Sequence, residues 1–125
     1  MNATHMAQNA YGKAAHPIKT NRDIEYGAFA KVTTKMKTAE ARGMAHFADL
    51  VAAVQENRNL WLLLVLDIAD KDNPLPSDLK ARIMFLAQFT EMHSRRVLRD
   101  AAALTPLIDI NAAVMAGLHT RGSAT

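Results

Sequence analysis

The sequence predicts an all-α fold, a small bundle of three long helices or helix pairs plus a short C-terminal helix. Three observations carry this. Apolar residues recur at three- and four-residue steps over most of the chain, and no segment alternates as a strand would. Ala, Leu and Met dominate while Gly (5) and Pro (4) are scarce, a mixture whose unbranched side chains lose little freedom in a helix. Turn residues gather in only a few places. With 125 residues, 62 of them apolar and 23 of those alanine, 39 larger apolar side chains remain. That number suits the core of one domain and not two.

Residues 1–20 read as a flexible arm, with Gly12, Pro17 and no sustained apolar period. Met1 to His5 resemble residues carried over from cloning, ahead of a plausible start at Met6. The helical domain spans 21–118. Asn21 can cap a first helix whose opening turn carries Asp23 and Glu25, the sign of charge a helix start favours. Its stripe is Ile24, Ala28, Val32, Met36 and Ala39, with Phe29 beside it, and Gly43 is placed to end it. A second helix runs from about Ala45 to Ala69 on Phe47, Leu50, Val54, Trp61, Val65 and Ile68, with a break or bend possible at Asn57.

Asp70, Asp72, Asn73, Pro74 and Pro76 then form a turn cluster, because neither proline can continue the preceding helix. Pro76 suits the first turn of the third helix, where Leu79, Ile83, Leu86, Thr90, His93 and Val97 hold a seven-residue period. A shorter fourth segment follows Pro106 on Leu107, Ile110, Val114 and Leu118, with Gly117 near its end. Residues 119–125 read as a disordered or cloning-derived tail.

Function classes are narrowed mostly by elimination. Without cysteine there is no disulfide scaffold, thiol nucleophile or thiolate zinc site. The longest apolar run, Leu60 to Leu66, falls far short of the ~20 residues that span a bilayer, and no secretion signal opens the chain. A cytoplasmic protein is expected. Histidines stand at 5, 16, 46, 93 and 119, never two within one helical turn, so the paired spacing of helical metal sites is missing. The plain reading of His93 is a hydrogen-bonded histidine in or near the helix seam. Ser77, Ser94 and Ser123 lack a nucleophile turn, and no glycine-rich loop precedes a helix. The pair Asp67 and Asp70 shares a face but sits beside the proline turn, where solvated surface is its simpler role. No enzyme activity, metal or cofactor is expected.

Charge is partitioned. Residues 1–42 carry net +4, 43–73 net −3 and 74–125 net +2. An acidic helix between basic ones can pair with its neighbours and is a poor fit to one continuous stripe along a nucleic acid. Arg95, Arg96 and Arg99 form the densest basic cluster, at the helix end that cations favour. What stands out is apolar surplus. Leu62, Leu63 and Leu66 lie off the main stripe of the second helix, and Phe85, Phe89 and Met92 make a second stripe on the third. Either these helices are central, or the surplus is a groove that a partner covers. Seven methionines, whose side chains adapt to varied surfaces, fit both readings.

Five phrases, taken in order, are similar to the FlaF family of flagellar biosynthesis regulators of alphaproteobacteria: Asn-Ala-Tyr-Gly-Lys at 9–13, Arg-Asp-Ile-Glu-Tyr at 22–26, Asn-Arg-Asn-Leu-Trp at 57–61, Asp-Asn-Pro-Leu-Pro at 72–76, and the run from Pro106 to Leu118. The resemblance covers residues 9–118. It implies a cytoplasmic helical protein that binds flagellin, is needed for flagellin synthesis and export, and acts beside the regulator FlbT, which restrains flagellin translation. It implies no catalytic residues. The matched positions it offers for partner contact are Tyr11, Trp61, Asp109, Ile110, Asn111 and Met115, to which the apolar surplus adds Leu62, Leu63, Leu66, Phe85, Phe89 and Met92. The client would be the amphipathic terminal segments of flagellin, held by their apolar faces. Two other readings are a regulator acting directly on flagellin messenger RNA, which would need a basic surface with stacking aromatics, and a homodimeric bundle that hides the same stripes.

Overall fold

The computed structural model describes residues 21–124, with side chains from Tyr26 to Gly117. Four helices follow one another: α1 (Asn21–Arg42), α2 (Phe47–Ala69), α3 (Ser77–Asp100) and α4 (Thr105–Ala124), with a short 3₁₀ turn at Met44–His46 leading into α2. No strand occurs among the described residues.

The junctions are built by local chemistry. Gly43 ends α1 at φ 74°, a conformation that side chains with a Cβ rarely adopt, and its N–H returns to the Ala39 carbonyl at 3.1 Å. Between α2 and α3, the Asp70 carboxylate accepts the Asp72 N–H at 2.9 Å and the Asn73 side chain accepts the Leu75 N–H at 3.0 Å, so two Asx turns precede Pro76. At the end of α3, Ala101 takes the left-handed conformation at φ 56°, and the N–H groups of Ala101 and Ala102 both return to Arg96 O. The start of α4 is tied from far away: the Glu40 carboxylate of α1 accepts the Leu104 N–H at 3.1 Å.

Each helix packs on two others, α1 on α2 and α4, and α3 on the same pair, with the α3 to α4 seam the sparsest. One core cluster joins Met36 and Ala39 of α1, Leu50, Ala53 and Val54 of α2, Val97 of α3, and Leu104, Leu107 and Ile108 at the start of α4. A second holds Phe29, Leu60 and Trp61, with Ile83, Leu86, Ile110, Val114 and Met115 half-buried against it. The Phe29 and Trp61 rings meet edge to face, 5.6 Å apart.

Polar side chains occupy the centre. Asn111 of α4 is fully buried and uses its whole amide. Its Nδ2 donates to Asn57 Oδ1 at 2.7 Å and to Thr33 Oγ1 at 3.1 Å, and its Oδ1 accepts the Trp61 indole N–H at 2.9 Å. Thr33 in turn donates to the Phe29 carbonyl at 2.6 Å. One amide thus joins α1, α2 and α4.

Three points of the sequence reading change. Asn57 neither breaks nor bends α2 out of helix, since a buried partner takes its side chain. Phe47 leaves the core stripe and is 41% exposed. The fourth helix is not short: its backbone runs from Thr105 to Ala124 and passes through Gly117. A glycine inside a helix costs only about 1 kcal/mol, which does not make it a stop. His93 matches its plain reading: it is buried, its Nε2 lies 2.8 Å from Ala103 O, and its ring stacks on Phe89.

Replacing Asn111 by alanine would strand the Trp61 indole N–H and remove two further bonds in the core. Urea unfolding should show a loss of about 3 kcal/mol or more. Ala101→Gly, by contrast, relieves the left-handed strain and should raise stability by about 0.5 kcal/mol, visible as a higher melting midpoint.

Candidate functional site

An open groove of about 300 Å³ runs between α2 and α3. Its α2 wall is Gln55, Arg58, Asn59, Trp61, Leu62 and Val65, and its α3 wall is Ala87, Thr90 and Glu91. Trp61 and Thr90 are buried and form the floor, whereas Leu62 is 57% exposed and its neighbour one turn on, Leu66, is 58% exposed. Leucines gain by leaving water, so a surface that keeps two of them half exposed side by side is suited to an apolar occupant.

A charged clasp joins the two walls. Guanidinium and carboxylate meet fork to fork: Arg58 Nε donates to Glu91 Oε2 at 3.0 Å, and Arg58 Nη2 donates to Glu91 Oε1. A further nitrogen of Arg58 donates to Gln55 at 3.2 Å, and Arg95, one turn along α3, approaches Glu91 at 3.6 Å. The Arg58 hydrogen bond holds the Glu91 carboxyl below the usual glutamate range, and Glu91 raises Arg58 in return. This pair runs against the charge partition, with the cation on the acidic helix and the anion on the basic one. The expected sense does appear between α1 and α2, where Lys35 meets Glu56 at 2.7 Å and Arg42 meets Asp49 at 2.9 Å.

The expected contact residues scatter. Trp61 and Asn111 are buried and bonded to each other; Asn111 lies in the interior, while Trp61 also lines the groove. Ile110 and Met115 are half-buried against the cluster around Trp61, and Asp109 is exposed. Leu63 is half-buried. Tyr11 lies outside the described residues. Phe85, at 68%, and Met92, at 54%, are exposed, while Phe89 is half-buried on His93. The six residues of the expected groove do not line one surface. At 100° per residue, Phe85 and Met92 fall roughly 130° round α3 from Ala87 and Glu91, which face α2. The described residues therefore hold two apolar patches, one formed by Leu62 of the groove wall and Leu66 one turn beyond it, the other on the far flank of α3.

Several groove residues were missed. Arg58, Glu91 and Ala87 draw no attention singly, and the one signal for Arg58 is a second stripe on α2 in which Gln55, Arg58, Leu62 and Leu66 recur at helical steps. Among the described residues no three His, Asp or Glu side chains gather as a metal site, and no helix is long and apolar enough to cross a membrane.

Because the Glu91 carboxyl is held below its ordinary range, its pairing stabilises the fold above that range and is lost as pH falls through and below it. Glu91 keeps 40% of its side chain in water, so the effect should stay within about 1 kcal/mol. In acid titrations followed by circular dichroism, Glu91→Gln should be less stable than the parent at neutral pH, and the difference should vanish in acid.

The family model described as flagellar protein FlaF matches residues 7–118. No curated protein and no solved structure matches the chain.

Proposed function

We propose that this chain, which belongs to the FlaF family of flagellar proteins and so serves flagellar biogenesis, is a flagellin-binding export chaperone. In this reading it works in the cytoplasm and performs no catalysis. The groove between α2 and α3 receives the apolar face of a flagellin terminal segment and keeps that segment from polymerising before export. The observation that carries the reading is the pair Leu62 and Leu66, more than half exposed beside a groove whose walls are otherwise formed.

Energetics favour a reversible grip. Burying apolar surface gains about 25 cal/mol per Å², and ordering a flexible client takes back part of that gain. Moderate affinity follows, and with it release at the export gate. Effects on flagellin translation, and the link to FlbT, are then indirect, through the amount of flagellin left unbound. Direct binding to messenger RNA finds less support. Lys35 and Arg42 of α1 are paired with carboxylates of α2, and the single tryptophan is buried where it cannot stack on a base.

Phe85 and Met92 favour a second reading, in which the far flank of α3 joins two copies. The two are separable by mutation. Leu62→Ser with Leu66→Ser should abolish co-purification of flagellin terminal fragments while helicity is retained; undiminished capture would remove the groove from the mechanism. Phe85→Ser with Met92→Ser should leave capture intact and convert any dimer seen by light scattering to monomer.

A further inference from the structure

We propose that the groove is bipartite and selects a helix of about 20 residues carrying two apolar patches with a carboxylate between them. The proposal rests on the groove as the client site and specifies what the groove reads.

The α2 flank facing α3 is longer than the groove described above. At 100° per residue, Phe47, Val51, Gln55, Arg58, Leu62 and Leu66 fall within roughly 100° of one another. On α3, Met84, Ala87, Glu91, Arg95 and Leu98 share the corresponding flank within roughly 80°. Both flanks change character in the same order. One end is apolar, with exposed Leu62, Leu66 and Met84. The other is apolar too, with Phe47 exposed and Val51 and Leu98 half-buried. The polar waist between them holds Gln55, Arg58, Glu91 and Arg95. The two apolar ends lie about 15 residues apart on α2, or roughly 22 Å, so one helix lying along the groove touches both and crosses the waist midway.

Charge at the waist is not balanced. Arg58 already occupies both Glu91 oxygens, and Arg95 reaches the same carboxylate only at 3.6 Å with a side chain 69% exposed. Two guanidiniums face one carboxylate, which leaves one positive charge over. The other residues at the waist, Gln55 and Asn59, are neutral. A carboxylate on the client can accept from Arg95 without breaking the Arg58 to Glu91 clasp. A lysine there meets like charge, and a glutamine meets neither attraction nor repulsion. The apolar ends supply the grip and the waist supplies choice of partner and register.

The test uses three synthetic amphipathic helices of 22 residues, identical except for Glu, Gln or Lys at the waist position, titrated by fluorescence against the full chain. The Glu peptide should bind about fivefold tighter than the Gln peptide, with Lys weakest, and the spread should shrink as salt rises. Arg95→Gln should erase the preference of Glu over Gln while keeping the binding of the Gln peptide. Equal binding of all three peptides, or an unchanged preference in Arg95→Gln, overturns the proposal and leaves the groove standing. Binding of none, at concentrations where flagellin fragments are captured, overturns the bipartite helix. Loss of both peptides and flagellin fragments from the unmodified chain overturns the groove itself.

Discussion

The bundle depends on one side-chain amide. Asn111 has two donors and one acceptor, and all are spent on partners in two other helices. A buried amide missing even one partner is costly, so α1, α2 and α4 are held in one relative rotation and height. An all-leucine seam would tolerate sliding, because apolar contacts are undirected. Here the Trp61 N–H must reach one oxygen, and that requirement sets how Trp61 lies across the centre. With Trp61 set, its ring becomes the floor of the groove toward α3. The interior network and the outer surface share a residue, and this is how an arrangement 50 residues apart in sequence shapes a surface that it does not touch.

α3 stands partly outside this frame. Its deepest residues, Thr90, His93, Ser94 and Val97, lie in its C-terminal half, and the N-terminal half offers only half-buried Leu79, Ile83 and Leu86 to the core. Thr90 Oγ1 and Asn57 Nδ2 are buried with no hydrogen-bond partner, so the α2 to α3 seam is the less saturated side of the core. The Arg58 to Glu91 clasp and the His93 link to Ala103 hold α3 from its two sides. A helix anchored mainly by one half has room to shift its other half around an occupant.

Much of the fold was legible because its punctuation is local. Gly43, the Asp70 to Pro76 cluster and Pro106 act through their own backbone, and the helices begin and end near them. Misreadings occurred where a distant residue decides. Asn57 looks like an interruption in an apolar stripe until Asn111, 54 positions away, supplies its partner. A resemblance in sequence does not distinguish residues that touch a partner from residues that hold the fold: Asn111 lies in the interior, and Trp61 is both its hydrogen-bond partner and part of the groove lining. The apolar surplus was rightly placed on the second and third helices. Periodicity gives each stripe an angle on its own helix but not the rotation of one helix against another, so two patches were merged into one.

The pairing of α1 with α4 also orders events during synthesis. Thr33 and Glu40 leave the ribosome early, while their partners, Asn111 and the Leu104 N–H, leave near the end of the chain. The first helix can pack on α2 as soon as that helix emerges, yet the seam it shares with α4 stays open until the residues around Leu104 and Asn111 have been made. A product truncated before Leu104 lacks both ties and has no means of fixing Trp61 beneath the groove.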